Sequence, residues 1–365
     1  MKTAECAMTG GSWEGVSHRD WSDWIWQSAN RVHTIPQLAK ILGKTPGNLG
    51  DYVHIIRNYP FCITPYYLSL INLANENDPL RMQCIPDARE IHFSMGGVPD
   101  PLEEERDMPV AGLIHRYPDR CLTVVTYDCM TYCRHCNRKR MWKSERTPIN
   151  RRYLQTMIDY IGEKKAIREV IVSGGDPLTM EEGHLEWFLK SLRSIPHVEV
   201  LRIGSRVPVV LPMRVTRDLC SMLRKYRPLW FNTQFNHPRE ITRASARACE
   251  MLLDAGIPVS NQSVLLRGIN DEYETMRELL YGLQRISVRP YYLFQCDPVE
   301  GTDHFRTDIA AGLKMMEKLW ENMPGLCMPQ YVLDAPGRRG KVPLFPSSPM
   351  SCMAVGAYGS FQQIH

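Results

Sequence analysis

Two hydrophobic rhythms alternate along the second half of the chain. Short, apolar, β-branched runs fall at 122–127, 169–174, 199–204, 229–235, 258–266 and 290–296. Amphipathic segments with helical spacing occupy 151–163, 182–194, 216–225, 242–255, 272–286 and 308–321. After the first pair the runs recur roughly every 30 residues, the length of one strand–helix unit. Strands that are hydrophobic on both faces and alternate with helices predict a parallel sheet. Six such units predict an α/β fold, a partial (βα)6 TIM-like barrel over 109–325, with its site at the C-terminal ends of the strands.

Upstream the pattern differs. The 21–95 stretch carries helical spacing, as in Ile35-Pro36-Gln37-Leu38-Ala39-Lys40-Ile41-Leu42, and predicts a helical N-terminal region. The acidic, proline-rich 98–108 segment reads as a linker that closes this region at 108. Residues 1–20 lack periodicity and read as a flexible start, and 326–365 as a C-terminal segment.

With 44% hydrophobic residues the chain can bury a large core. Its net charge of +4 over 365 residues, without a long basic block, argues against nucleic acid or an anionic membrane as the main partner. Twelve cysteines would suggest disulfides in a secreted protein, but no apolar leader opens the sequence. No run approaches the roughly 20 apolar residues needed to cross a bilayer. The expected location is a reducing cytoplasm, where thiols stay free or bind metal.

Cys129, Cys133 and Cys136 fall within eight residues, directly after the first barrel strand. Thiolates so spaced suit an iron–sulfur cluster. Three ligands for four irons leave one iron open, as catalytic metal sites keep a position open. The alternatives are three free buried thiols or a zinc knuckle, but no fourth Cys or His follows at zinc spacing. His135, between two of the cysteines, reads as a neighbour of the cluster. Ser173-Gly174-Gly175-Asp176-Pro177 ends the second strand, where glycines let the backbone approach a ligand; alone it also fits an ordinary turn. Lys341 follows Gly337-Arg338-Arg339-Gly340 and could form a Schiff base with pyridoxal phosphate (PLP), or lie on a solvated basic loop. Asp297, just past the last strand, is either a site carboxylate or a helix cap.

Together these motifs resemble the lysine 2,3-aminomutase family of radical S-adenosylmethionine (SAM) enzymes, from Trp21 to about Pro346. The resemblance includes Ile63-Thr64-Pro65-Tyr66-Tyr67, His115-Arg116-Tyr117-Pro118-Asp119-Arg120, Arg202-Ile203-Gly204-Ser205-Arg206, Phe235-Asn236-His237-Pro238 and His304-Phe305-Arg306-Thr307. It implies a [4Fe–4S] cluster on Cys129, Cys133 and Cys136. SAM would lie near Tyr132, His135, Gly174, Gly175, Asp176 and Gln262. Lys341 would hold PLP, with Arg116, Tyr117 and Arg120 as further contacts. Arg138 would pair with the substrate α-carboxylate, a task that suits a guanidinium fork. Asp297 and Asp334 match two aspartates that grip the side-chain ammonium of lysine.

The implied reaction moves an α-amino group to the β-carbon, started by a 5′-deoxyadenosyl radical. The acidic pair implies a basic amino acid: lysine first, arginine or ornithine next. The implied partners are an electron donor such as a flavodoxin or ferredoxin, and further copies of the chain in a homo-oligomer. The sequence departs from the family at Gly337-Arg338-Arg339-Gly340, where lysine enzymes usually carry four glycines, and at Gln234, where a His is usual. Glu272 replaces a zinc-binding Cys and the chain ends at His365, so no structural zinc is expected and a tetramer is in doubt.

Overall fold

The computed structural model describes residues 13, 15–43, 50–92, 96–142, 149–335 and 340–345. Arg338 and Arg339 therefore lie outside the described residues.

Nine strands form one sheet in simple chain order. They are β1 (Leu113–Tyr117), β2 (Arg120–Thr126), β3 (Glu169–Gly174), β4 (Val200–Gly204), β5 (Leu229–Thr233), β6 (Val259–Leu265), β7 (Arg289–Gln295), β8 (Gln330–Ala335) and β9 (Gly340–Pro343). β2 through β8 are parallel. β1 and β9 add antiparallel edges. The six runs expected from the sequence are β2–β7, so the parallel part holds one strand more than foreseen. β8 escapes the rhythm because among the described residues no helix follows it, and the short edges carry His115, Arg116 and Lys341 among their apolar residues.

Each parallel strand sends alternate side chains to opposite faces. Val170, Val172, Leu201, Ile203 and Phe231 are fully buried within the core cluster. Ser173, Arg202, Gly204, Asn232 and Gln262 instead line the lumen. The helices cover the outer face with apolar stripes. The helix Arg151–Glu163 buries Leu154, Met157, Ile158 and Ile161, the i, i+3, i+4, i+7 pattern. Its first turn is capped by Asn150, whose side chain accepts the Tyr153 N–H. Thr216 and Thr242 cap the helices Arg217–Arg224 and Arg243–Asp254 in the same way.

The N-terminal helices are short. Ile35–Leu42 starts on a reciprocal Thr34–Gln37 cap and stops at Gly43 in the left-handed region, φ 60°. Pro65–Ser69 and Pro79–Cys84 each open on a proline after a capping Thr64 or Asp78. The 98–108 segment is not a free linker. Its Glu104 and Asp107 are 4% exposed, because buried arginines draw both carboxylates inward.

Candidate active site

The lumen holds a cavity of about 900 Å³ that reaches from the starts of the strands, at Arg120, Glu169 and Arg289, to their C-terminal ends, at Asp176 and Asp297. It stays open because many lumen-facing residues are small or polar, where a closed barrel would fill the space with branched side chains.

The loop after β2 brings Cys129, Cys133 and Cys136 to this cavity. Backbone contacts stitch the loop to the N-terminal helices: Tyr132 N donates to Cys62 O (3.0 Å) and Arg134 N to Gln83 O (2.8 Å). The Arg134 guanidinium is fully buried and donates to both Glu90 oxygens (2.9 and 2.6 Å) and to the Pro60 and Tyr59 carbonyls. Lys139 Nζ reaches the same Glu90 at 2.6 Å. Burial pushes the Cys129 thiol well above its ordinary range, reinforced by Asp176 and the neighbouring thiols. Burial likewise pushes Cys136 up to about 11, with Cys133 adding to it. Among the described residues no three His, Cys, Asp or Glu side chains converge tightly enough to hold a single metal ion. The three half-buried thiols line one stretch of the cavity wall. Tyr132, expected near SAM, stacks on Trp142 at 4.9 Å beside the cavity and is not part of its wall.

β3 ends against this loop. Gly174 has φ 126°, and a Cβ there would lie 2.4 Å from Thr126 O; a Cβ on Gly175 would lie 2.3 Å from Asp128 O. Only glycine fits such an approach. Asp176 is buried, and its carboxylate accepts from Ser205 Oγ (2.7 Å), Leu178 N (3.0 Å) and Arg206 N (2.8 Å). Burial raises its carboxyl to about 6 against these hydrogen bonds. Asp176 therefore holds the turn after β4. His135 is kept neutral by burial, then by Arg206 and Lys139. Its Nε2 lies 3.3 Å from the amide nitrogens of Gln234 and Asn236. Gln262 faces the lumen from β6.

The opposite wall comes from the sheet edges. Lys341 Nζ donates to Asp334 Oδ2 at 3.2 Å, with the Phe294, Tyr117 and Tyr292 rings 5.5–5.9 Å away. Asp334 also accepts from Arg116 Nη1 (3.4 Å), and Arg116 Nε reaches Asp107 (3.0 Å). Arg120 lies 3.8 Å over the Tyr117 ring. The Asp297 carboxyl is raised to about 7 by burial and then by the Asp334 charge; a hydrogen bond from Asn137 opposes this. Arg138 is engaged by Glu104 through Nε and Nη2 (2.7–3.1 Å), a partner not foreseen in the sequence.

The cavity unites every expected site residue except Tyr132. Four of its lining residues carry buried polar atoms without a partner: Tyr117 Oη, His135 Nδ1, Arg202 Nε and Thr233 Oγ1. Such atoms suit a large polar ligand that supplies the missing bonds. Arg206 and Glu104 had no assigned role, since nothing local marks a residue whose partners lie 30 to 140 positions away.

Residues 123–280 match the Radical SAM superfamily. An L-lysine 2,3-aminomutase of Acetoanaerobium sticklandii is 48% identical over 332 residues, covering 91% of this chain and 80% of that protein. The L-lysine 2,3-aminomutase of Clostridium subterminale is 47% identical with the same coverage. A glutamate 2,3-aminomutase of Clostridioides difficile is 42% identical over 330 residues, 90% of this chain and 78% of that protein.

Proposed function

Because this chain belongs to the lysine 2,3-aminomutase family of radical SAM enzymes, we propose that it is the isomerase that converts L-lysine to β-lysine. The observation that carries the substrate reading is the pair Asp297 and Asp334 at the Lys341 end of the cavity. Asp334 is already paired with Lys341 and Arg116, whereas burial and the Asp334 charge push Asp297 up to about 7, so Asp297 is the carboxylate left in want of a cation. A cationic side chain relieves that repulsion, whereas a glutamate side chain would add a third negative charge. Arginine and ornithine present the same charge and are the next substrates in line.

When bound, a [4Fe–4S] cluster with SAM supplies a carbon-centred radical and PLP carries the migrating nitrogen. The residues present fit both groups. Cys129, Cys133 and Cys136 would hold three irons and leave the fourth to SAM. SAM would lie along the cavity wall that Gly174, Gly175, Gln262 and His135 share; the two glycines let the β3 turn pack against the Thr126 and Asp128 carbonyls of the cysteine loop. Lys341 would hold PLP amid three aromatic rings, with the unpartnered Tyr117 hydroxyl and Arg120 as further anchors. Glu104 orients the Arg138 fork, which would meet the substrate α-carboxylate along its remaining edge. The Phe294, Tyr117 and Tyr292 rings would give the bound PLP an apolar flank beside Lys341. Arg116, bound to Asp107 and Asp334, would also hold Asp334 in place for the substrate ammonium.

The ten described cysteines are all free, which suits a reducing cytoplasm; a flavodoxin or ferredoxin would supply the electron that the cluster needs. Among the described residues no helix is long and apolar enough to cross a membrane.

The test is an anaerobic reconstitution with iron, sulfide, SAM, PLP and a reductant, offered lysine, arginine, ornithine and glutamate separately. Mass spectrometry should find the β-amino acid from lysine first; turnover of glutamate alone would overturn the substrate reading. A lysine–PLP imine absorbance should be present in the wild type and absent in Lys341→Ala.

A further inference from the structure

Arg206 is 7% exposed and lies at the turn after β4. Its guanidinium is held on several sides. Nε donates to Gln234 O (3.1 Å), and Nη2 to Glu240 Oε1 (2.7 Å) and Gln83 Oε1 (2.6 Å). Nη1 donates to Cys133 Sγ at 2.8 Å. Asp176 fixes the same residue through its backbone N–H. A cation so tightly braced aims one edge at one sulfur, and neither the substrate wall nor Lys341 uses it.

We propose that Arg206 is a positioning residue that sets the reduction potential of the iron–sulfur cluster through the Cys133 sulfur. The inference rests on the cluster reading of the three cysteines. When the reductant delivers one electron, the cluster gains one negative charge, and no bond breaks or proton moves. Hydrogen bonds to the ligating sulfurs and nearby positive charge stabilise the more negative state, and so raise the potential. Buried from water, this guanidinium acts at low dielectric, where its effect is largest. Glu240 keeps Arg206 in place, and Tyr67 Oη donates to the same Glu240 oxygen at 2.6 Å.

The test is the midpoint potential of the reconstituted cluster, measured without SAM, in wild type, Arg206→Gln and Arg206→Lys, with iron and sulfide content determined in each. Arg206→Gln should shift reduction at least tenfold against the reduced form, about 59 mV more negative for one electron. Arg206→Lys, which keeps the charge, should shift it less. An unchanged potential in a fully loaded Arg206→Gln protein overturns the proposal; weakened SAM binding alongside it would assign the guanidinium to SAM instead. If Arg206→Gln fails to fold or load, the wild type decides. Pulsed EPR on the reduced protein, carrying arginine labelled with ¹⁵N only in its guanidinium, should show a nitrogen coupling to the cluster, and its absence overturns the inference. A wild type with no reducible cluster would instead overturn the function proposed above.

Discussion

Asp297 is where opposing effects meet within one side chain. Burial and Asp334 raise its carboxyl to about 7, while the Asn137 hydrogen bond pulls the other way. A lysine ammonium stays charged far above that pH, so binding competes with a proton on Asp297. The expected kcat/KM for lysine falls as pH drops below about 7, and Asp297→Asn should remove this limb while costing at least about 2 kcal/mol, roughly 30-fold, in kcat/KM. A pH profile of both proteins checks it. Stability follows the same sign. The raised carboxyl binds more protons when folded than unfolded, so its contribution is present at low pH and lost as pH rises from about 4 through 7. The residue scale was also the most legible one in the sequence. Three cysteines within eight positions, a double glycine and a lysine on a glycine-rich loop announce themselves locally. Arg206 and Glu104 do not, because burial and distant partners create their roles.

At the level of elements, spacing revealed β2–β7 and the six helices between and after them, largely because alternation and the i, i+3, i+4 stripe are enforced by burial. Several expected helices ran one residue long at the start, since a capping Thr such as Thr216 or Thr242 looks like helix in a string. Thr242 does more than cap. Its hydroxyl accepts the Ser245 N–H and shares a 2.6 Å hydrogen bond with Tyr66 of the N-terminal helices. Thr242→Ala should therefore cost about 1–2 kcal/mol, read as a lower midpoint in denaturant with unchanged slope. The strand-ending turn after β3 is less forgiving. Gly175→Ala drives a Cβ to within 2.3 Å of the Asp128 carbonyl, in the loop that carries the cysteines. The expected result is a protein that retains its helical circular dichroism but loads less iron, measured after anaerobic reconstitution.

For the molecule as a whole, the two sheet edges face each other across a gap that side chains bridge. Arg116 of β1 binds Asp334 of β8, and the Tyr117 ring packs against Gly340 of β9. Gly340 has φ 65°, and a Cβ there would sit 2.7 Å from that ring. Gly340→Ala should displace Lys341 and weaken PLP retention roughly tenfold, for a strain of about 1–3 kcal/mol. Absorbance after gel filtration measures it, and an unchanged affinity would show that the seam tolerates movement. The seam was illegible in the sequence because its strands are short and mixed in polarity, and because closure joins residues more than 200 positions apart.

Each parallel strand divides its side chains between the core and the lumen. Odd and even positions answer to different demands: Val170, Val172, Leu201 and Ile203 are buried in the core, while Ser173, Arg202 and Gly204 line the cavity. Evolution can therefore rewrite what this vessel accepts by changing every second letter of a strand, and leave the staves that hold it together untouched.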